Sequence, residues 1–132
     1  CISSAASDVY KRQGCDGFGP LGPWLVTADE VPDPQALRMW LDVDGRRMQD
    51  GSTATMVFGV TFLISYLSRF MSLQPGDVIS TGTPPGVGMG QKPPMYLRAG
   101  QAMRLGIAGL GEQRQTMVAA REQPSPSTTG KA

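Results

Sequence analysis

The chain contains no histidine. A Ser-His-Asp triad, a Cys-His pair and a histidine-ligated zinc are therefore excluded within it. Chemistry done by these residues must use carboxylates, lysine, hydroxyls or backbone groups. Cysteine is scarce. Cys1 and Cys15 lie near one end, and two such residues form neither a zinc pattern nor the framework of a disulfide-stapled secreted domain. Cysteine usage of this kind suits a reducing compartment, so a cytoplasmic location is expected. No run approaches the roughly 20 apolar residues of a membrane span. An excess of one charge is missing too. The net charge is +1 at pH 7, which gives no electrostatic case for nucleic acid or an anionic membrane as a partner.

What remains is a chain of 132 residues, long enough for one domain and one core. Its 17 glycines and 11 prolines make it rich in loops, yet below the roughly 25–30% of biased composition that marks disorder. The two ends differ from the middle. Residues 1–13, "CISSAASDVYKRQ", are small and polar, have no sustained period and lack the apolar stretch of a signal peptide. They resemble a translated adapter sequence and are set apart as non-native. Residues 121–132, "REQPSPSTTGKA", read as a disordered polar tail. Between them lies one structured block, residues 14–120.

Within the block, "LRMWLDVDGRRMQDG" reads as a hairpin. Arg38, Trp40 and Asp42 alternate with Leu37, Met39, Leu41 and Val43, and Asp44-Gly45 supplies a two-residue turn that tolerates positive φ. The return strand is expected from Arg46 to about Gln49. The period then changes. Val60, Leu63, Ile64, Leu67 and Phe70 or Met71 recur at three- and four-residue steps, which predicts an amphipathic helix over 57–71. Pro75-Gly76 makes a turn, and Asp77–Ser80 reads as the next strand. Met103, Leu105 and Ile107 alternate before a Gly109-Leu110-Gly111 turn, with a partner strand over 112–118. Trp24 and Trp40 read as core residues, as do Met39, Met56, Met71 and Met103. Arg46 and Arg47 read as a solvated strand face. The block is thus α+β and β-rich, with one prominent helix.

"DVISTGTPPGVGMG", residues 77–90, admits three readings. A phosphate loop needs a helix whose N-terminus follows the glycines, but here they lead into Gln91-Lys92-Pro93-Pro94, and prolines supply no N–H donors. The spacing matches neither G-x-G-x-x-G nor a P-loop. A plain turn is the second reading. The third is a backbone-lined binding edge. Glycine lets a ligand approach the main chain closely, and Thr81 and Thr83 add hydroxyl donors.

The pieces "GPLGPW", "DEVPDPQ.L..WL.VDG...QDGST..M.F", "L.PGDVISTGTPPGVG" and "IAGLG" occur in order. Together they closely resemble the C-terminal half of the fumarylacetoacetate hydrolase family, over residues 14–119. Within it, "GVGMGQKPP" is similar to bacterial members of the ureidoglycolate lyase or 2-hydroxyhepta-2,4-diene-1,7-dioate isomerase kind. The resemblance implies a mixed β-sandwich roll, incomplete at the N-terminus, and a parent enzyme that commonly dimerises. It implies small 2-oxo acids as substrates and a divalent cation, Mg²⁺ or else Mn²⁺ or Ca²⁺, held by three carboxylates. Such a cation polarises a 2-oxo group and stabilises an enolate. The reactions are C–C hydrolysis, isomerisation or lyase chemistry. Ureidoglycolate lyase activity specifically is one alternative, and a non-catalytic binding or oligomerisation module of the same fold is another.

By the same resemblance Gly82 and Thr83, with Thr81, face the substrate carboxylate or keto oxygen. Asp16, Phe18, Pro20 and Leu21, with Pro23, form the site wall. Asp50, Ser52 and Thr53 read more simply as a strand end with a helix cap, and Lys92 as a possible site-edge cation. The departures are as informative. The family's E-x-E pair and following Asp belong upstream of residue 14, and no E-x-E occurs here. Asp8 of "SDVYKRQ" only faintly resembles a ligand motif, and the residues that the family places after that motif are missing before Gly14. The lysine expected before Gly14 is Gln13, which carries no charge to hold an anion or move a proton. No metal ligand or catalytic group is therefore assigned in this chain. The fragment alone is expected to bind no cofactor and to be inactive.

Overall fold

A computed structural model describes residues 19–119. The expectations placed on residues 1–13, on Cys15, Asp16 and Phe18 and on the tail 121–132 lie outside the described residues. Among the described residues four strands form one antiparallel sheet: β1 (Arg38–Val43), β2 (Arg46–Ser52), β3 (Ala102–Ile107) and β4 (Gly111–Thr116), in the order β2-β1-β3-β4. The first hairpin closes at Asp44 and Gly45, both with positive φ (49° and 78°), as the right-handed twist of paired strands favours. The second hairpin closes through Ala108–Leu110. β1 joins the two hairpins by pairing with β3.

Direct cross-strand pairing fixes the two faces. Gly51, Met39, Ile107 and Gly111 form one row, on the face that also carries Leu41 and Leu105. Asp50, Trp40, Gly106 and Glu112 form the next row, on the opposite face. The register shifts between Leu41 and Asp42, so that Leu41 pairs with Gln49 but Asp42 with Arg47. Met48 is the extra residue of a β-bulge. The bulge turns Arg47 onto the face of Trp40, whereas an unbroken alternation would put it beside Gln49.

The helix is shorter than its apolar period suggests: α1 spans Val60–Leu67. Its N-terminus is held from a distance, by the Gln35 side-chain oxygen accepting from Val60 N at 2.9 Å. Val60, Leu63 and Leu67 are half-buried, but Ile64, Phe70 and Met71 are exposed. On the outer face Phe58, Phe62 and Tyr66 stack in succession and Phe70 tilts against Tyr66, with ring centroids 4.9–5.9 Å apart.

Two further expectations are corrected. Asp77–Ser80 is not a strand, since no ladder partner meets it among the described residues. The preceding Pro75-Gly76 turn does form, with Gly76 at φ 98° and the Asp77 carboxylate accepting from Gln74 N at 2.8 Å. The tryptophans are not core. Trp24 is 64% exposed, and Trp40 lies on the charged face beneath the guanidinium groups of Arg47 and Arg104, 4.8 and 5.1 Å from its ring centroid. Among the described residues no hydrophobic side chain is buried. Gln49 is the one buried polar side chain there. No helix of the described residues is long and apolar enough to cross a membrane.

Candidate functional site

The loop after α1 folds back over β2. Gly51 permits this approach: a Cβ there would lie 2.7 Å from Pro84 Cβ. Gly86, at φ 112°, packs against the carbonyl of the bulged Met48 so closely that a Cβ would collide with it. Between these points the Gln49 amide donates to Thr83 Oγ1 at 2.9 Å and to the Pro84 carbonyl at 2.7 Å. Gly82 takes φ 113°, a conformation costly for other residues.

Thr81, Gly82 and Thr83 line a cleft of about 450 Å³ together with Met39, Met56, Phe58 and Ile107. Among the described residues the N–H groups of Gly82 and Thr83, and the O–H groups of Thr81 and Thr83, donate to nothing. A largely apolar cleft edged by unspent neutral donors suits a small anion or a carbonyl oxygen.

The other residues singled out from the sequence have separate positions. Pro20 and Leu21 are exposed and do not line this cleft. Their segment runs to the far edge of the same sheet face, where Pro23 and Trp24 cover Gly111 and the Gln113 amide donates to the Gly22 carbonyl. Gly111 stands in one row with Gly51, three strand spacings or about 14 Å away. "GPLGPW" and "STGTPP" thus flank a single face. Ser52 lines the cleft but also caps the short turn Thr53–Thr55, accepting from Ala54 N at 3.2 Å. Thr53 Oγ1 accepts from Leu37 N at 2.9 Å. Both therefore serve the strand end, as the capping reading expects. Lys92 is exposed and away from the cleft.

Asp50 points to the opposite face. It pairs with Arg38 at 2.8 Å and, more loosely, with Arg47 at 3.6 Å. The Arg38 hydrogen bond is the main reason its carboxyl sits below the usual carboxylate range. Arg47 also pairs with Asp42, and Arg104 with Glu112. These exposed pairs add little stability, but among the described residues they leave no free cation above Trp40. Among the described residues no group of three His, Cys, Asp or Glu side chains could hold a metal ion, so the described donor set does not fit a divalent cation.

Sequence reasoning passed over Gln49. Its signal was positional: it stands opposite Leu41, on the face of the hydrophobic row, where a solvated glutamine would be out of place.

The fold is an α+β domain whose sheet carries a small, largely apolar cleft edged by neutral hydrogen-bond donors. The family model described as "Fumarylacetoacetate (FAA) hydrolase C-terminal" matches residues 2–118, and the chain belongs to this family of hydrolases and isomerases. The matched range includes residues 2–13, which the sequence reading sets apart. A Burkholderia multivorans protein provisionally named a hydrolase is 70% identical over 112 residues, covering 84% of this chain and 40% of its own length. The fumarylacetoacetate hydrolase of Exiguobacterium antarcticum superposes with a TM-score of 0.79 at 39% identity, over 87% of this chain and 44% of that one. The maleylpyruvate hydrolase of Sphingobium sp. SYK-6, solved with manganese(II) and pyruvate, superposes at 0.68 with 40% identity, over 76% and 36% of the two chains. The chain therefore spans about 40% of the length of these relatives. The α+β, β-rich fold expected from the sequence is the fold of this family.

Proposed function

We propose that residues 14–120 are the C-terminal part of the catalytic domain of a longer enzyme that breaks a C–C bond in a 2-oxo acid of the acylpyruvate class. In this reading Thr81, Gly82 and Thr83 hold the substrate's carboxylate or 2-oxo oxygen. The observation that carries it is the cleft lining, where the backbone N–H groups of Gly82 and Thr83 and the hydroxyl protons of Thr81 and Thr83 donate to nothing among the described residues. Neutral donors hold an anion without a counter-charge, so the substrate is oriented and a shift of its charge during reaction is not opposed. Pyruvate in the Sphingobium relative is a 2-oxo acid of the size such a wall suits.

Asp16, Phe18, Pro20 and Leu21 form the far wall in this proposal, supported by the cross-sheet row that brings Pro23 and Trp24 to the same face as Pro84. The whole protein is proposed to be a cytoplasmic homodimer that depends on Mg²⁺ or Mn²⁺. The carboxylates for that cation come from outside residues 19–119. Isomerase or lyase chemistry, ureidoglycolate cleavage included, would use the same oxygen-holding wall.

The test is pyruvate binding to the full-length protein with Mn²⁺ present, measured by titration calorimetry. Thr83→Val removes one donor to a charged oxygen, which is worth about 1.5–3 kcal/mol. It should weaken binding by about ten- to a hundredfold. Unchanged affinity in a folded Thr83→Val protein would reject the assignment.

A further inference from the structure

We infer that Gln49 is a positioning residue that makes Thr83 a hydrogen-bond donor toward the cleft, an assignment that rests on the reading of Thr83 as a substrate-holding group. The argument starts from the Pro84 carbonyl, which can only accept. The Gln49 group 2.7 Å from it must therefore be the amide nitrogen. The same nitrogen lies 2.9 Å from Thr83 Oγ1, and an amide NH₂ offers hydrogens but no lone pair. Thr83 Oγ1 must accept from it, and its own proton has to point elsewhere. Among the described residues no acceptor receives that proton, and Thr83 lines the cleft.

Gln49 spends both amide hydrogens on two successive residues of the loop. It is the one buried polar side chain among the described residues, 9% exposed, so a hydrogen bond lost there is not readily replaced by water. Flanking contacts fix the loop on either side, Pro84 against Gly51 and Gly86 against Met48. The hydroxyl is thus presented in one polarity as well as at one place. An anionic oxygen is favoured there over a donor group of the same size.

The test measures pyruvate affinity, with Mn²⁺, and melting temperature for the full-length protein. The variants are Gln49→Met, Gln49→Glu, Thr83→Val, Thr83→Ser and the Gln49→Met/Thr83→Val pair. Gln49→Met keeps the length of the side chain without donors and should weaken binding about tenfold. Gln49→Glu can only accept when ionised, turns the Thr83 proton inward and should weaken binding at least as much. The double variant should bind no worse than Thr83→Val alone, because Gln49 acts through that hydroxyl. Thr83→Ser should bind as the wild type does. Full affinity in a folded Gln49 variant, additive losses in the pair, or a loss in Thr83→Ser overturns the role of Gln49 and leaves the cleft reading standing. Full affinity in Thr83→Val overturns both.

Discussion

Alanine at position 51 would place a methyl carbon 2.7 Å from Pro84 Cβ and 3.6 Å from Pro84 Cγ. Carbon atoms rest about 3.5–4.0 Å apart, so the strand and the loop would have to separate by about 1 Å. Gly51 lies in ordinary strand pairing with Met39 and has no positive φ. The effect is therefore steric and free of backbone strain. β2 is tied to β1 along its length, so the loop is the partner that yields. Thr83 directly precedes Pro84 and moves with it, away from the Gln49 amide. Overpacking of this size costs about 1–3 kcal/mol, and a displacement of about 1 Å in a positioning group can lower turnover about a hundredfold.

Gly51→Ala should therefore lower kcat/KM on an acylpyruvate far more than its modest fall in melting temperature would suggest. The assay pairs steady-state kinetics of the full-length protein with thermal denaturation followed by circular dichroism. Gly90→Ala is the control. It lies in the same glycine-rich stretch, has no positive φ, and a Cβ there meets nothing within 4 Å. Wild-type kinetics in Gly51→Ala, or equal damage from Gly90→Ala, would refute the idea that close packing on β2 sets the loop.

The remaining predictions concern the frame around the site. Gln35 accepts from Val60 N and donates to the Thr53 carbonyl, tying α1 to the end of β2; Gln35→Leu should cost about 1–2 kcal/mol in urea unfolding, and an unchanged midpoint would show that the helix start is held otherwise. Asp50 has a lowered pKa, first through its hydrogen bond from Arg38, with the charges of Arg38 and Arg47 adding to this and burial opposing it. A group whose pKa is lower folded than unfolded contributes stability above its unfolded value and loses it as pH falls through the folded one. NMR titration should find the Asp50 midpoint below the ordinary aspartate range, and Arg38→Gln should move it up; an unmoved midpoint would sever the two.

Some elements were legible because their cause is local. The first hairpin follows from period-two alternation and from Asp44-Gly45, and the second from a glycine-bounded turn, so both stand within a few residues of their expected limits. The helix was legible as a period but not at its ends. Its start is fixed by Gln35, a residue 25 positions away, and Phe70, which the apolar period assigns to the interior, instead joins the exposed aromatic row of Phe58, Phe62 and Tyr66. Asp77–Ser80 has the composition of a strand, but composition does not say whether a ladder partner exists. Trp40 was misplaced for a similar reason. Alternation divides a strand into two faces, and Trp40 shares its face with Arg38 and Asp42; the cover it finds is the pair of guanidinium groups above it.

The donors of the candidate site were legible in "STGTP", but what holds them was not, because that depends on register. In β2, Gln49 and Gly51 receive the loop on one face while Arg47 and Asp50 close the charged lattice on the other. Unbroken alternation would set Arg47 on the loop's face beside Gln49. The bulge at Met48 shifts the pairing by one residue, sends Arg47 to Asp42 and Trp40, and offers the Met48 carbonyl to Gly86. A cation next to Gln49 would compete with its amide for the Pro84 carbonyl. By removing it, the bulge leaves neutral donors in charge of that wall. The polarity of the site thus traces to one extra residue in an edge strand, a feature that depends on pairing and that no short motif in the sequence records.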